Sequence, residues 1–183
     1  MSNHLHDGEI LRIFRMPESR ERAFSAIMHK YQERLYWHIR RLVIDHEDAS
    51  DVLQNTLIRA WKGLEAFRQD SQLYTWLYRI ATNECLSFLE QKKKRASVNL
   101  EDNAGWMTDK LMAEDGFDAK KLEWKLQLAI QQLPERQKLV FNLRYFDEMP
   151  YEEMSRVLGT SVGALKASYH HAVKKVEKYL LEL

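Results

Sequence analysis

Residues 151–175 read YEEMSRVLGTSVGALKASYHHAVKK, and this stretch decides how the rest of the chain is understood. Met154, Val157 and Leu158 recur at helical spacing, and Glu152 and Glu153 sit where acids complement the positive end of a helix dipole. Gly159 ends that short helix. Thr160 and Ser161 then offer an N-cap, and Leu165, Tyr169, Ala172, Val173, Val176 and Leu180 form the apolar stripe of a longer final helix. A short helix, a glycine-containing turn and a longer helix make a helix-turn-helix, whose second helix lies in the DNA major groove with its N-terminal residues at the base edges.

The face opposite that stripe carries Gly163, Ala164, Lys166, Ala167, His170, His171 and Lys174, small residues for close approach with hydrogen-bond donors between them. With Thr160, Ser161 and Val162 at the helix start, they form a candidate surface for duplex DNA. From Ser161 to Lys178 four lysines stand against one acid, a local charge of +3. The whole chain gives no such signal: 28 Lys+Arg against 27 Asp+Glu leave a net charge of +1. His170 and His171 are adjacent, so their side chains point about 100° apart on a helix and do not share one metal.

Working back towards the N-terminus, Leu122, Leu126, Ala129, Ile130 and Leu133 mark a helix that stops at Pro134. Leu139, Val140 and Leu143 mark another, broken by Asp147 to Pro150. Residues 121–183 therefore predict a four-helix C-terminal domain. Asn99 to Lys120 differs in character, with a net charge of −4, Gly105 and Gly116, and no sustained period, and reads as a flexible acidic linker with a short turn near Trp106 and Met107.

Before the linker, Phe24, Ile27, Met28, Tyr31, Leu35 and Leu42 line one helix. Ala49, Val52, Leu53, Thr56, Leu57 and Ala60 line a second, and Leu73, Leu77, Ile80, Ala81 and Phe88 a third with Ser71 as its cap. That third helix runs into Lys92-Lys93-Lys94-Arg95, which either compensates the dipole at the helix end or touches phosphates. The predicted fold is all-α: an N-terminal leader over 1–22, a helical domain over 23–96, the linker over 97–120 and the helix-turn-helix domain over 121–183. Trp61, Trp76 and Leu77 are assigned to the core, as large apolar groups at helical spacing.

With 45% hydrophobic and 30% charged residues, six glycines and three prolines, the chain is a folded, helix-rich one rather than a disordered one. No apolar run exceeds three residues, far short of the roughly 20 a membrane span needs, so a soluble, cytoplasmic protein without membrane insertion is expected. The single cysteine, Cys85, forms no disulfide framework and reads as a buried filler. Neither a phosphate-binding glycine loop, a metal-spaced His/Cys cluster nor a nucleophile constellation appears, so no catalytic residue, metal or cofactor is expected.

Glu47 to Trp61 (EDASDVLQNTLIRAW), Phe67 to Ser71 (FRQDS) and Thr75 to Asn83 (TWLYRIATN) closely resemble the extracytoplasmic-function group of bacterial sigma factors. So do Leu133 to Arg136 (LPER), Tyr151 to Met154 and Leu158 to Lys166, and the two halves occur in the family's order from about Ala23 to Leu180. The resemblance implies a dissociable subunit that directs core RNA polymerase to promoters and helps open them. It also implies docking on the polymerase β′ clamp and β flap, and an anti-sigma factor as partner. Asp48, Asp51, Gln54 and Asn55 are thereby assigned to the β′ clamp, where the acidic run of Asp45, Glu47, Asp48 and Asp51 would speed and orient docking.

The same resemblance assigns the loop Phe67-Arg68-Gln69-Asp70-Ser71 to a flipped base of the downstream promoter element, with Arg79 and Asn83 on the adjoining DNA-binding helix. Tyr74, Thr75 and Tyr78 are added as contacts to the melted strand, because unpaired bases are captured by aromatic and polar groups beside cations. Departures from the family pattern are Asn55, where an acid is usual, and Ser168, His171 and Val173, where arginines are frequent; fewer fixed cations predict weaker and less salt-dependent phosphate affinity. A stand-alone helix-turn-helix repressor or activator, which needs a dimer interface and paired half-sites, is the alternative reading.

Overall fold

The structure is a computed structural model that describes residues 6–98 and 121–182. The greater part of the linker, with Trp106 and Met107, lies outside the described residues. Helices α1 (Asp7–Phe14), α2 (Arg20–Val43), α3 (His46–Gly63) and α4 (Leu73–Val98) make the N-terminal half. Helices α5 (Lys121–Gln131), α6 (Glu135–Tyr145), α7 (Tyr151–Leu158) and α8 (Val162–Glu182) make the C-terminal half. The expected all-α, two-part architecture is present.

Local chemistry sets the boundaries. Asp45 caps α3 by accepting from the Asp48 amide at 2.9 Å, and Ser161 Oγ accepts from the Ala164 amide at 3.3 Å to cap α8. Gly159 closes α7 at φ +63°, in the left-handed region that favours glycine.

Helix α1 falls within the stretch read as a leader. Its Ile10, Leu11 and Phe14 are buried and it packs on α2, with Lys30 and Tyr31 both bonded to Asp7. It is a working part of the N-terminal core.

One hydrophobic cluster unites Ile27, Leu35, Ile39, Val52, Leu77, Tyr78 and Cys85 of the N-terminal half with Leu139, Leu143, Met154, Val157 and Leu165 of the other. A second, with Ala129, Ile130, Leu133, Phe141, Ala172 and Val176, closes the C-terminal helices on themselves. The halves thus meet along a shared core, α7 packing on α4 and α6 on α2.

Candidate nucleic-acid and partner interfaces

Helix α3 presents one exposed stripe, Asp51, Gln54, Asn55 and Ile58, opposite the buried Ala49, Val52, Thr56 and Ala60. Acids and amides there flank a large apolar group left 45% exposed at Ile58. Ile58 was not among the sequence-derived candidates, although its spacing of four from Gln54 places it on their face. Asp48, at the edge of the stripe, is half-buried and accepts from Lys92 Nζ at 2.5 Å. That bond also accounts for part of the basic run ending α4: Lys93 pairs with Glu135 and Lys94 with Glu90.

The residues assigned to melted DNA divide into two groups. Gln69, Asp70, Arg79 and Asn83 are exposed, and Phe67, Ser71 and Tyr74 half-buried. Gln69 takes φ +61°, a left-handed turn at a non-glycine residue that pins the loop. Phe67 and Gln69 line a depression of about 90 Å³ together with Arg15 and Arg20, two cations that fall within residues 1–22, the stretch read as leader. Beside it, Arg59, Lys62, Trp76 and Asn83 line an open groove of about 420 Å³.

Thr75 and Tyr78 are placed differently from expectation. Both are 1% exposed, covered by the C-terminal half: Thr75 donates to Glu153 Oε2 at 2.6 Å and the Tyr78 hydroxyl to Asp147 Oδ1 at 3.1 Å. Burial, reinforced by the Asp147 charge, pushes the Tyr78 phenol up. Their positions on α4, one turn from Arg79 and Thr82, gave no sign that α7 would lie on that face.

The aromatic assignments also change. Leu77 is buried, but Trp76 is only half-buried, its ring tilted 36° to that of Phe67 with centroids 5.0 Å apart, and Trp61 is 38% exposed. Phe14 and Phe24 meet Trp61 edge-on and leave its other side to solvent. Trp76 reaches this surface across Gly63, where a Cβ would lie 3.1 Å from its ring.

In the helix-turn-helix, Leu165, Ala172 and Val176 of α8 are buried, while Gly163, Ala164, Lys166, Ala167, His170, His171 and Lys174 are all exposed. Ser161 is exposed and Thr160 and Val162 half-buried at the helix start. Lys166 Nζ lies 5.7 Å from the Tyr151 ring centroid, which steadies one cation of the face. Among the described residues no group of His, Cys, Asp or Glu is arranged to hold a metal ion, and no helix is long and apolar enough to cross a membrane.

The two halves make an all-helical protein in which a four-helix N-terminal half is followed by a half that carries a helix-turn-helix, the build of a DNA-binding protein. Residues 27–95 match Sigma-70 region 2 and residues 123–176 match Sigma-70 region 4. The chain is 32% identical over 177 residues to RNA polymerase sigma-H factor of Pseudomonas aeruginosa, covering 92% of each. It is 28% identical over 181 residues to ECF RNA polymerase sigma factor SigW of Bacillus subtilis, covering 94% of this chain and 96% of the relative. Among solved structures it resembles the sigma factor RpoE in its complex with the anti-sigma factor NepR from Bartonella quintana (TM-score 0.70, 21% identity, covering 87% of this chain and 97% of that one). It also resembles CnrH in complex with the cytosolic domain of CnrY (TM-score 0.64, 22% identity, covering 87% and 88%). The chain belongs to the sigma-70 family, in its extracytoplasmic-function group of RNA polymerase sigma factors. A match over both halves is that of a sigma factor, not of a stand-alone repressor.

Proposed function

We propose that this sigma factor divides its work among three surfaces. The α3 stripe of Asp51, Gln54, Asn55 and Ile58, with Asp48 at its edge, docks on the β′ clamp of core polymerase. Acids orient the approach and Ile58 supplies apolar burial. The loop Phe67 to Ser71, with Arg79, Asn83 and the Trp76 groove, captures an unpaired base of the downstream element, and Tyr74, Thr75 and Tyr78 extend that surface once uncovered. Helix α8 reads the upstream element as duplex from Thr160 to Lys174, with its domain held on the β flap. The chain contributes no catalytic group; polymerase does the chemistry, in the cytoplasm.

The observation that carries this reading is the division of α8. Seven residues suited to a groove are exposed on one side and the apolar stripe is buried on the other. The solved neighbours, both bound to a second protein, support an anti-sigma partner for this chain as well. Adding the full chain to sigma-free core polymerase is expected to give initiation at discrete sites on a promoter library; uniform background transcription would sink the proposal. Replacing Asp51 and Gln54 with Ala is expected to weaken core binding about tenfold or more while helicity is unchanged, since neither side chain supports the fold. Unaltered affinity would remove α3 from the docking surface.

A further inference from the structure

Where the halves meet, three donors of the N-terminal half converge on one carboxylate of the other. Asp147, in the loop between α6 and α7, has a side chain 6% exposed. Its Oδ1 accepts from Arg41 Nη2 at 2.8 Å and from the Tyr78 hydroxyl at 3.1 Å, and its Oδ2 lies 3.2 Å from His38 Nδ1. A carboxylate only accepts, so Nδ1 carries the proton of that pair. His38 is itself fixed by Thr82 at 3.0 Å. The Thr75–Glu153 bond, the Arg41 guanidinium 4.7 Å from the Phe146 ring centroid and the Lys93–Glu135 pair also cross the seam.

The loop that delivers this carboxylate is held on its own side. Glu148 sits at φ +50°, the Met149 amide donates to Leu143 O at 3.0 Å, and Arg144 donates to Met149 O at 3.1 Å. Asp147 is therefore aimed outward by its own domain into a pocket made wholly by the other. A buried charge with donors on one side only is directional: sliding or parting the halves strips it of its partners at once.

We propose that Asp147 is a latch that keeps the free chain closed and withholds the Thr75–Tyr78 face of α4 from a DNA strand until the halves part. The masking half of this proposal rests on the strand-capture reading above; the latch itself does not. The loop Phe67 to Ser71, Arg79 and Asn83 stay accessible in the closed form, so opening adds Thr75 and Tyr78 to that surface and raises strand affinity, and any ligand that prefers the open form draws the equilibrium towards it.

The test uses the full chain with Ser25→Cys and Glu177→Cys, both exposed, carrying a donor and acceptor dye; buried Cys85, its thiol pushed up by burial, does not label. Asp147→Ala is expected to lengthen the dye separation and to tighten binding of a short single-stranded DNA pool about tenfold or more. If Asp147→Ala lacks wild-type helicity, Arg41→Gln, which removes a donor to Asp147 and leaves the strand face intact, takes its place. Bridging Lys93→Cys to Glu135→Cys in the Asp147→Ala chain with a short bis-methanethiosulfonate should cancel the gain in strand binding, and a reductant should restore it. An unchanged dye separation overturns the latch. A longer separation with unchanged strand affinity, or a bridged chain that binds as tightly as the unbridged Asp147→Ala chain, overturns the masking. Should no form bind single strands while the separation still responds to Asp147→Ala, the strand-capture reading falls and takes the masking with it, but leaves the latch standing.

Discussion

At the scale of single residues, the seam between the halves places charges where water is scarce, and two of them make stability rise with pH, in separate windows. Burial draws the Lys138 ammonium down to about 8, opposed by Glu135 and aided by Lys93, although Nζ still donates to Gln131 Oε1 at 2.7 Å. The folded form then holds fewer protons than the unfolded chain between about 8 and the ordinary 10.5, so stability rises with pH across that window. Lys138→Met keeps the stem and removes the charge. It should raise stability at pH 7 by about 1–3 kcal/mol and flatten the rise, in thermal melts at pH 7, 8 and 9. Equal slopes in the two proteins would discard this account. For Asp147 burial alone would raise the carboxyl, but the hydrogen bond and charge of His38, with Arg41 and Tyr78, outweigh it and hold it below the usual range. Its contribution is complete above the ordinary carboxylate value and is lost only as pH falls through the lowered one. Neither effect was legible in the sequence, because His38 and Arg41 lie more than 100 positions from Asp147, and Lys138 is buried beside Leu42, Cys85 and Leu89 of other helices.

Among elements, legibility follows how local the cause is. The helix-turn-helix could be read from Tyr151 to Lys175 because its determinants are close neighbours: acids in the first turn, Gly159 at the stop, Ser161 at the cap, and a stripe at Leu165, Ala172 and Val176. The α3 stripe was legible for the same reason. Helix α1 was not recognised, since eight residues with Ile10, Leu11 and Phe14 gain stability only from packing on α2 and on Trp61 of α3. With it went Arg15 and Arg20 beside the Phe67–Gln69 loop. The exposure of Trp61 also depends on partners elsewhere, Phe14 and Phe24, rather than on its own period. The turn supplies a prediction at this scale. Gly159 has open space around it, so Gly159→Ala suffers no clash and only the cost of φ +63°, about 1–2 kcal/mol. Because α7 and α8 are oriented by this turn, the variant should bind upstream duplex more weakly while single-strand binding is retained. Denaturant titration and anisotropy with each probe check the two halves of that statement.

For the whole molecule, a near-neutral total conceals segregation: an acidic and amide stripe on α3, cations beside the strand loop, and a net charge of +3 from Ser161 to Lys178. What joins the halves is the shared apolar cluster, with the Asp147 seam giving it direction. Met154 tests that statement. It is fully buried in α7, in the cluster that also holds Leu77, Tyr78 and Ala81 of α4. Met154→Ala leaves a cavity costing about 2–5 kcal/mol. If the halves folded independently, that loss would appear only in the C-terminal helices. Since the core is common to both, amides of α4 over residues 73–95 should exchange faster in the variant, alongside those of α7 and α8, when followed by hydrogen–deuterium exchange under native conditions. Acceleration confined to residues 121–182 would mean that the seam stabilises neither partner, and that the closed arrangement has no energetic hold on the strand-binding half.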